Sequence, residues 1–149
     1  MMKVALAAAC LLASPTWAGD IAVIDPFARV ARPGAPTGAI FMVLHNQGTL
    51  DDRLIGASTP AAEIAQIHTH IDNNGVMRMR EIKAGVPLPA GERHAFARGG
   101  DHVMLMGVTE KLVDGDALSL TLMFENAGAV TVTVPVDNQR GQGQKIHKN

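Results

Sequence analysis

Beyond its first eighteen residues the chain has no cysteine and no tryptophan, because Cys10 and Trp17 both lie within that opening segment. The segment has the build of an export signal: Lys3 gives the positive start, "VALAAACLLA" the apolar run, and "TWA" a small-residue cleavage site, which predicts a cut after Ala18. Reading Cys10 as a lipid-modified residue meets two objections. "AAAC" lacks a leucine at the usual upstream place, and little apolar sequence precedes it. Removing 18 residues from 149 leaves 131, in which no disulfide can form. A chain of that size buries a sufficient core in one domain without cross-links, even in an oxidising compartment.

Long apolar runs are missing too. The opening one is too short to span a bilayer as a helix and no later one replaces it, so stable membrane insertion is not expected. Without Lys3, 12 basic residues stand against 14 acidic ones, and no basic cluster could track a phosphate backbone. That argues against nucleic acid as a partner. No apolar helical period persists over three turns.

What is present is a succession of short β-rich runs: "IAVIDPFARV", "GAIFMVLHN", "DRLIGAS", "EIAQIHTHI", "GVMRMREI", "ERHAFAR", "HVMLMGV", "DALSLTLMFE" and "AVTVTVPV". Turn signals such as "ARPGAPTG", "NQGTLDD", "DNNG", "PLPAG", "RGGD" and "VDGD" separate them. "STPAAEIAQ" could hold a short helical turn. Eight or nine strands at this spacing predict an all-β, two-sheet Greek-key sandwich over residues 19–136, after a signal peptide over residues 1–18. The tail over residues 137–149 has almost nothing to bury and is expected to stay mobile, with His147 solvated.

Six histidines and six methionines lie beyond the leader, and they are unevenly spread. His68, His70, Met77, Met79, His102, Met104 and Met106 all fall between residues 68 and 106. In a strand over "HVMLMGV", Val103 and Leu105 share one face, while His102, Met104 and Met106 share the other. "IHTHIDNNGVMRMR" reads as a hairpin. A four-residue loop from Asp72 to Gly75 sets His70 opposite Met77 and His68 opposite Met79, whereas a two-residue turn at Asn74 and Gly75 sets His70 opposite Met79. A three-residue loop or bulge would instead send both histidines to the face of Arg78 and Arg80, and local amphipathicity favours that register. The ligand register is preferred because "HVMLMG" already has an inward face in Val103 and Leu105.

Imidazole and thioether groups on paired strands are close enough to share an ion. Neutral, soft thioether sulfur suits Cu(I), whereas zinc takes thiolate, imidazole and carboxylate, and calcium or magnesium takes oxygen. The competing explanation is a methionine-filled core with incidental histidines. Among the other residues, Met42 and Met123 alternate with core-like neighbours, and Asp51 and Asp52 look like turn chemistry. His94 could be solvated or an outer partner, and Asp101 could orient a neighbouring histidine.

"IHTHIDNNGVMRMREI", "GGDHVMLMGV" and "LVDGDALSLTLMFENAGAVTVTVPV" closely resemble the periplasmic PCu(A)C copper chaperones over Gly38 to Val136. That family's signature is a histidine, ten residues, a methionine, about twenty-one residues, then His-x-Met. Mapped here, the resemblance picks out His68, Met79, His102 and Met104 as copper ligands. It implies a cupredoxin-like sandwich that binds Cu(I) and passes it to the CuA site of cytochrome c oxidase subunit II, directly or through another copper chaperone. Twenty-two residues separate Met79 from His102 here, one more than the signature, which places an extra residue in the "EIKAGVPLPAGER" loop. Some members bind Cu(II) with a His- and Met-rich tail, whereas this tail offers only His147.

Three rivals follow from the same residues. A blue-copper electron carrier needs a thiolate that the exported chain lacks. A copper-dependent enzyme would need an open coordination position and a substrate groove. A structural sandwich would leave the Met-rich face without a role.

Overall fold

The computed structural model describes residues 20–140, which form ten β-strands in two sheets with no helix among them. In chain order these are β1 (Ile21–Val30), β2 (Thr37–Asn46), β3 (Asp52–Ser58), β4 (Ala62–Asn73), β5 (Val76–Glu81), β6 (Val86–Leu88), β7 (Arg93–Phe96), β8 (His102–Val108), β9 (Ala117–Phe124) and β10 (Gly128–Pro135). One sheet runs β1-β2-β8-β4-β5, with β7 also paired to β2; the other runs β10-β9-β3-β6. Every strand pairing is antiparallel.

Period-two alternation builds the core. In β9, Leu118, Leu120, Leu122 and Phe124 are buried, while Ser119, Thr121 and Met123 point outward. From the first sheet, Ile40, Met42 and Leu44 of β2, Ile67 of β4, and Val103 and Leu105 of β8 supply the facing layer. Met42 is therefore core, as its pattern suggested, whereas Met123 is 39% exposed on the outer side of its sheet and packing does not account for it.

Three local readings change. The sequence pattern gave eight or nine strands; the tenth is β6, which lies partly in the "PLPAG" turn signal. Val86 and Leu88 are buried there against β3, and Pro87 is tolerated because β6 is a sheet edge where a missing N–H breaks little of the ladder. The helical turn considered in "STPAAEIAQ" is a turn at Pro60 and Ala61, followed directly by β4. The start of the tail is tied to β1. Asp137 N–H donates to the Ala28 carbonyl, Val30 N–H donates to Asn138 Oδ1 at 2.8 Å, and the Arg140 guanidinium lies 4.7 Å from the Phe27 ring centroid. The expected signal peptide and the rest of the tail lie outside the described residues. No helix among the described residues is long and apolar enough to cross a membrane.

A bulge in β1 shapes one wall of the outer face. The register slips by one residue between Ile24 and Phe27, around Asp25 and Pro26, and Asp25 has a φ of 50°. That extra residue reverses the alternation, so Ala28 faces the core and Phe27 and Arg29 face out beside Phe41 and Ala39.

Candidate metal centre

The face of β8 that carries no core residues is the outer face of the first sheet. In the ladder between β4 and β8, His68 lies opposite His102, Gln66 opposite Met104, and Ile64 opposite Met106. On the far side of β4, His70 lies opposite Met79 and Asp72 opposite Met77. Three adjacent strands thus bring His68, His70, Met77, Met79, His102 and Met104 onto one surface.

The hairpin between β4 and β5 adopts the two-residue turn. Asn74 and Gly75 both have positive φ, 54° and 84°, as tight hairpin turns matching strand twist require. Asp72 Oδ1 accepts from Gly75 N–H at 2.7 Å and holds the turn closed. This is one of the registers that place both histidines with the methionines. The amphipathic objection fails because β5 is exposed along almost its whole length, so Arg78 and Arg80 reach water from the opposite face.

His102 is the centre of the cluster. It is 3% exposed, although imidazole is usually left partly in water. Its ring centroid is 5.2 Å from that of His70, 6.0 Å from His68 and 6.2 Å from Phe41, which packs on Phe27. His102 Nδ1 lies 3.1 Å from the Gly100 carbonyl, a contact that fixes the ring and leaves Nε2 as the lone-pair nitrogen. Asp101, a candidate orienting group, engages a different histidine: its Oδ2 is 2.7 Å from His94 Nε2.

Burial holds the His102 imidazole below its ordinary pKa of 6.5. The hydrogen bond to Gly100 and the Asp101 charge act the other way, while His70 and His68 add to the lowering. The folded state therefore favours neutral His102, and an unfolded chain takes up the proton first as pH falls. Stability from this group is present above about pH 6.5 and is lost below it. The urea midpoint of the apoprotein is expected to fall between about pH 7 and pH 5, with a shallower slope in His102→Gln. A midpoint that rises with acidification would contradict the assignment.

An open groove of about 520 Å³ runs over this face, lined by Phe41, His70, Met79, His102 and Met104, with Arg29 and Arg98 also on its wall. Burial and the neighbouring Arg98 charge lower Arg29 from its ordinary range, and it stays cationic at neutral pH. Met77 and Met79 are 57% and 53% exposed, open to an approaching surface. Of the four residues singled out by the sequence, Met79, His102 and Met104 line the groove. His68 shares their face but stands outside the lining, with its Nε2 3.1 Å from Gln66 Oε1. His70 takes the groove position, and only the pairing across two strands reveals that. No group of three or more His, Cys, Asp or Glu side chains suited to a metal occurs among the described residues, so any ion here must use methionine or the imidazoles in combination with it.

The fold has known counterparts. The apo PCuAC domain from PmoF1 and the copper-bound PCuAC domain from PmoF2 each superpose with a TM-score of 0.66 at 28% identity. Each covers 80% of this chain, and 94% and 93% of the respective domains are matched. The solution structure of CuI-DR1885 from Deinococcus radiodurans gives a TM-score of 0.61 at 29% identity, covering 79% of this chain and 80% of that one. The fold is thus the cupredoxin-like sandwich of PCuAC domains. Within that class, the chain belongs to the LpqE-like family, which matches residues 21–136. A protein of Leifsonia xyli subsp. xyli named "Putative lipoprotein Lxx21020" is 35% identical over 117 residues, 78% of this chain and 70% of that one.

Proposed function

We propose that this chain is an exported copper carrier that holds Cu(I) on the outer face of its first sheet through His68, Met79, His102 and Met104. The observation that carries the reading is His102: a buried neutral imidazole, fixed through one nitrogen, beside Met104 and within ring-to-ring reach of His68. Copper is the cargo. Two imidazoles and two thioethers are all neutral, so the loaded site keeps the single positive charge of Cu(I). Binding then lacks the charge pairing of a thiolate, and ligand exchange with an acceptor becomes feasible.

The PCuAC domains solved with copper support this cargo, and the lipoprotein name of a relative supports export, here by the segment over residues 1–18. The periplasm is the compartment proposed, where thioethers persist while paired free thiols oxidise. Transfer requires an open site rather than a catalytic base, and the exposed Met79 lets an acceptor reach the ion. By its resemblance to the chaperone family, the acceptor is the CuA centre of cytochrome c oxidase subunit II or an intermediate copper chaperone.

X-ray absorption on the Cu(I)-loaded chain tests the donor set. A shell of two nitrogens and two sulfurs is expected. In a chain cut after Ala18, which has no cysteine, the sulfur can come only from methionine. A shell of nitrogen alone would remove Met79 and Met104 from the site.

A further inference from the structure

The groove carries two arginines that holding copper does not require. Arg29 of β1 lies opposite Ala39 of β2, and Ala39 lies opposite Met104 of β8. Neighbouring strands are about 4.8 Å apart, so Arg29 stands roughly 10 Å from Met104 across the sheet, with only the methyl side chain of Ala39 between them. Ala39 is thus a floor of the groove, with Arg29 on one side and Met104 on the other. Arg98, in the turn after β7, lines the same groove, and its charge acts on Arg29.

A cation beside a cationic cargo works against it, and at about 10 Å physiological salt screens most of even that effect. The arginines serve something other than the ion. Among the described residues, the lining contains no Asp, Glu or Lys. Asp137, whose charge reaches Arg29, is held 3.3 Å from Arg140. The acids of the hairpin, Asp72 and Glu81, lie opposite Met77 and His68 and outside the lining, and Asp72 is engaged in closing its turn.

Protein interfaces are rich in Met, Arg and aromatic side chains and poor in Lys, Glu and Asp. The groove has that composition: Phe41, Met77, Met79 and Met104 stand with Arg29 and Arg98. Met77 takes no part in the proposed donor set, yet it is 57% exposed, and a thioether side chain adapts to whatever surface is laid on it. We propose that this groove is the docking surface for the copper acceptor, and that an acidic segment of the acceptor lies over Ala39 with its carboxylates on Arg29 and Arg98. The inference rests on the copper-carrier reading and names the chemistry of its partner. Arginine pairs with carboxylate through directional, often paired hydrogen bonds, so the contact orients the acceptor as well as attracting it. Its metal-binding groups are then brought beside Met104 and the exposed Met79.

The test uses two synthetic peptides, one with a run of aspartates followed by alternating methionine and glycine, the other with asparagine in place of aspartate. Each is titrated into the metal-free whole chain and followed by backbone amide NMR. The aspartate peptide is expected to bind at least about tenfold more tightly at low salt, to lose most of that advantage at about 0.5 M salt, and to shift the amides of Ala39, Gly99 and Met104. Arg29→Gln and Arg98→Gln should each weaken it by at least about threefold, whereas Arg29→Lys, which keeps the charge, should lose less. The spectra of the variants report in the same experiment that the fold is kept. Arg80→Gln removes an equal charge from the opposite face of β5 and should bind as wild type does. Equal losses in Arg29→Gln and Arg80→Gln would reduce the effect to overall charge and overturn the proposal. So would shifts confined to residues outside the groove, or displacement of the peptide by an equal concentration of inorganic phosphate, which would mark a site for small anions. Failure of the copper reading shows separately, as a chain that takes up no Cu(I) yet still prefers the aspartate peptide.

Discussion

Replacing Met79 and Met104 together by leucine is expected to weaken Cu(I) binding by at least about a hundredfold, taking each lost thioether as roughly tenfold, or 1.4 kcal/mol. The same double variant should keep the stability of the apoprotein. Leucine is close to methionine in volume, such exchanges usually cost under about 1.5 kcal/mol, and Met79 is 53% exposed. Affinity is read by competition with a Cu(I) chelator, and stability by urea denaturation of the metal-free chain. The pairing of the two measurements matters. If methionines on this face were only filler, both numbers would stay at their wild-type values. If they were core, stability would fall and affinity would follow it. Loss of affinity at constant stability is the outcome that assigns the sulfur atoms to copper.

Strand alternation made much of this visible from sequence. In "HVMLMG" the two apolar residues and the His/Met set fall on opposite faces whatever the neighbours, because the side-chain period of a strand is two. Nine of the ten strands announce themselves in the same way. β6 does not, because Pro87 between Val86 and Leu88 reads as a turn until an edge position makes it acceptable. The hairpin register was a harder case. Local amphipathicity would have set Arg78 and Arg80 with the histidines, and what decided otherwise was backbone chemistry at Asn74 and Gly75, an Asn-Gly pair in which both residues take positive φ. Which histidine reaches the groove was left open, because the two turn lengths considered set either His68 or His70 opposite Met79. His68 and His70 are equivalent by alternation, and only the pairing of His70 with Met79 and the Gln66 contact of His68 separate them. The partnership of Asp101 with His94 was equally hidden, since it joins a residue of β7 to the last residue of the "RGGD" turn, seven positions on, rather than neighbours in one strand.

Leu105→Ala is expected to produce the converse result on the same strand: a loss of about 2 to 5 kcal/mol of stability, as for other large-to-small core substitutions, with Cu(I) affinity of the folded protein within about threefold of wild type. Leu105 is fully buried, paired with Gly38 on β2 and Ala65 on β4. A Cβ built on Gly38 would lie 3.7 Å from Leu105 Cδ1, so the leucine packs over a position where the neighbouring strand has no side chain, and alanine would leave that space unfilled. Its side chain points away from Met104 and His102, its neighbours along β8, and so the donor atoms keep their places once the chain is folded. Copper then gives an internal check. A ligand that binds only the folded state stabilises it by RT ln(1 + [L]/Kd), about 4.1 kcal/mol at a free concentration a thousand times Kd. Leu105→Ala should gain the same increment from Cu(I) as wild type does, from a lower starting point, whereas the double methionine variant should gain little from a normal one. If Leu105→Ala gained nothing from copper, the site would depend on core packing across β8, and the independence of the strand's two faces, on which the copper reading rests, would be lost.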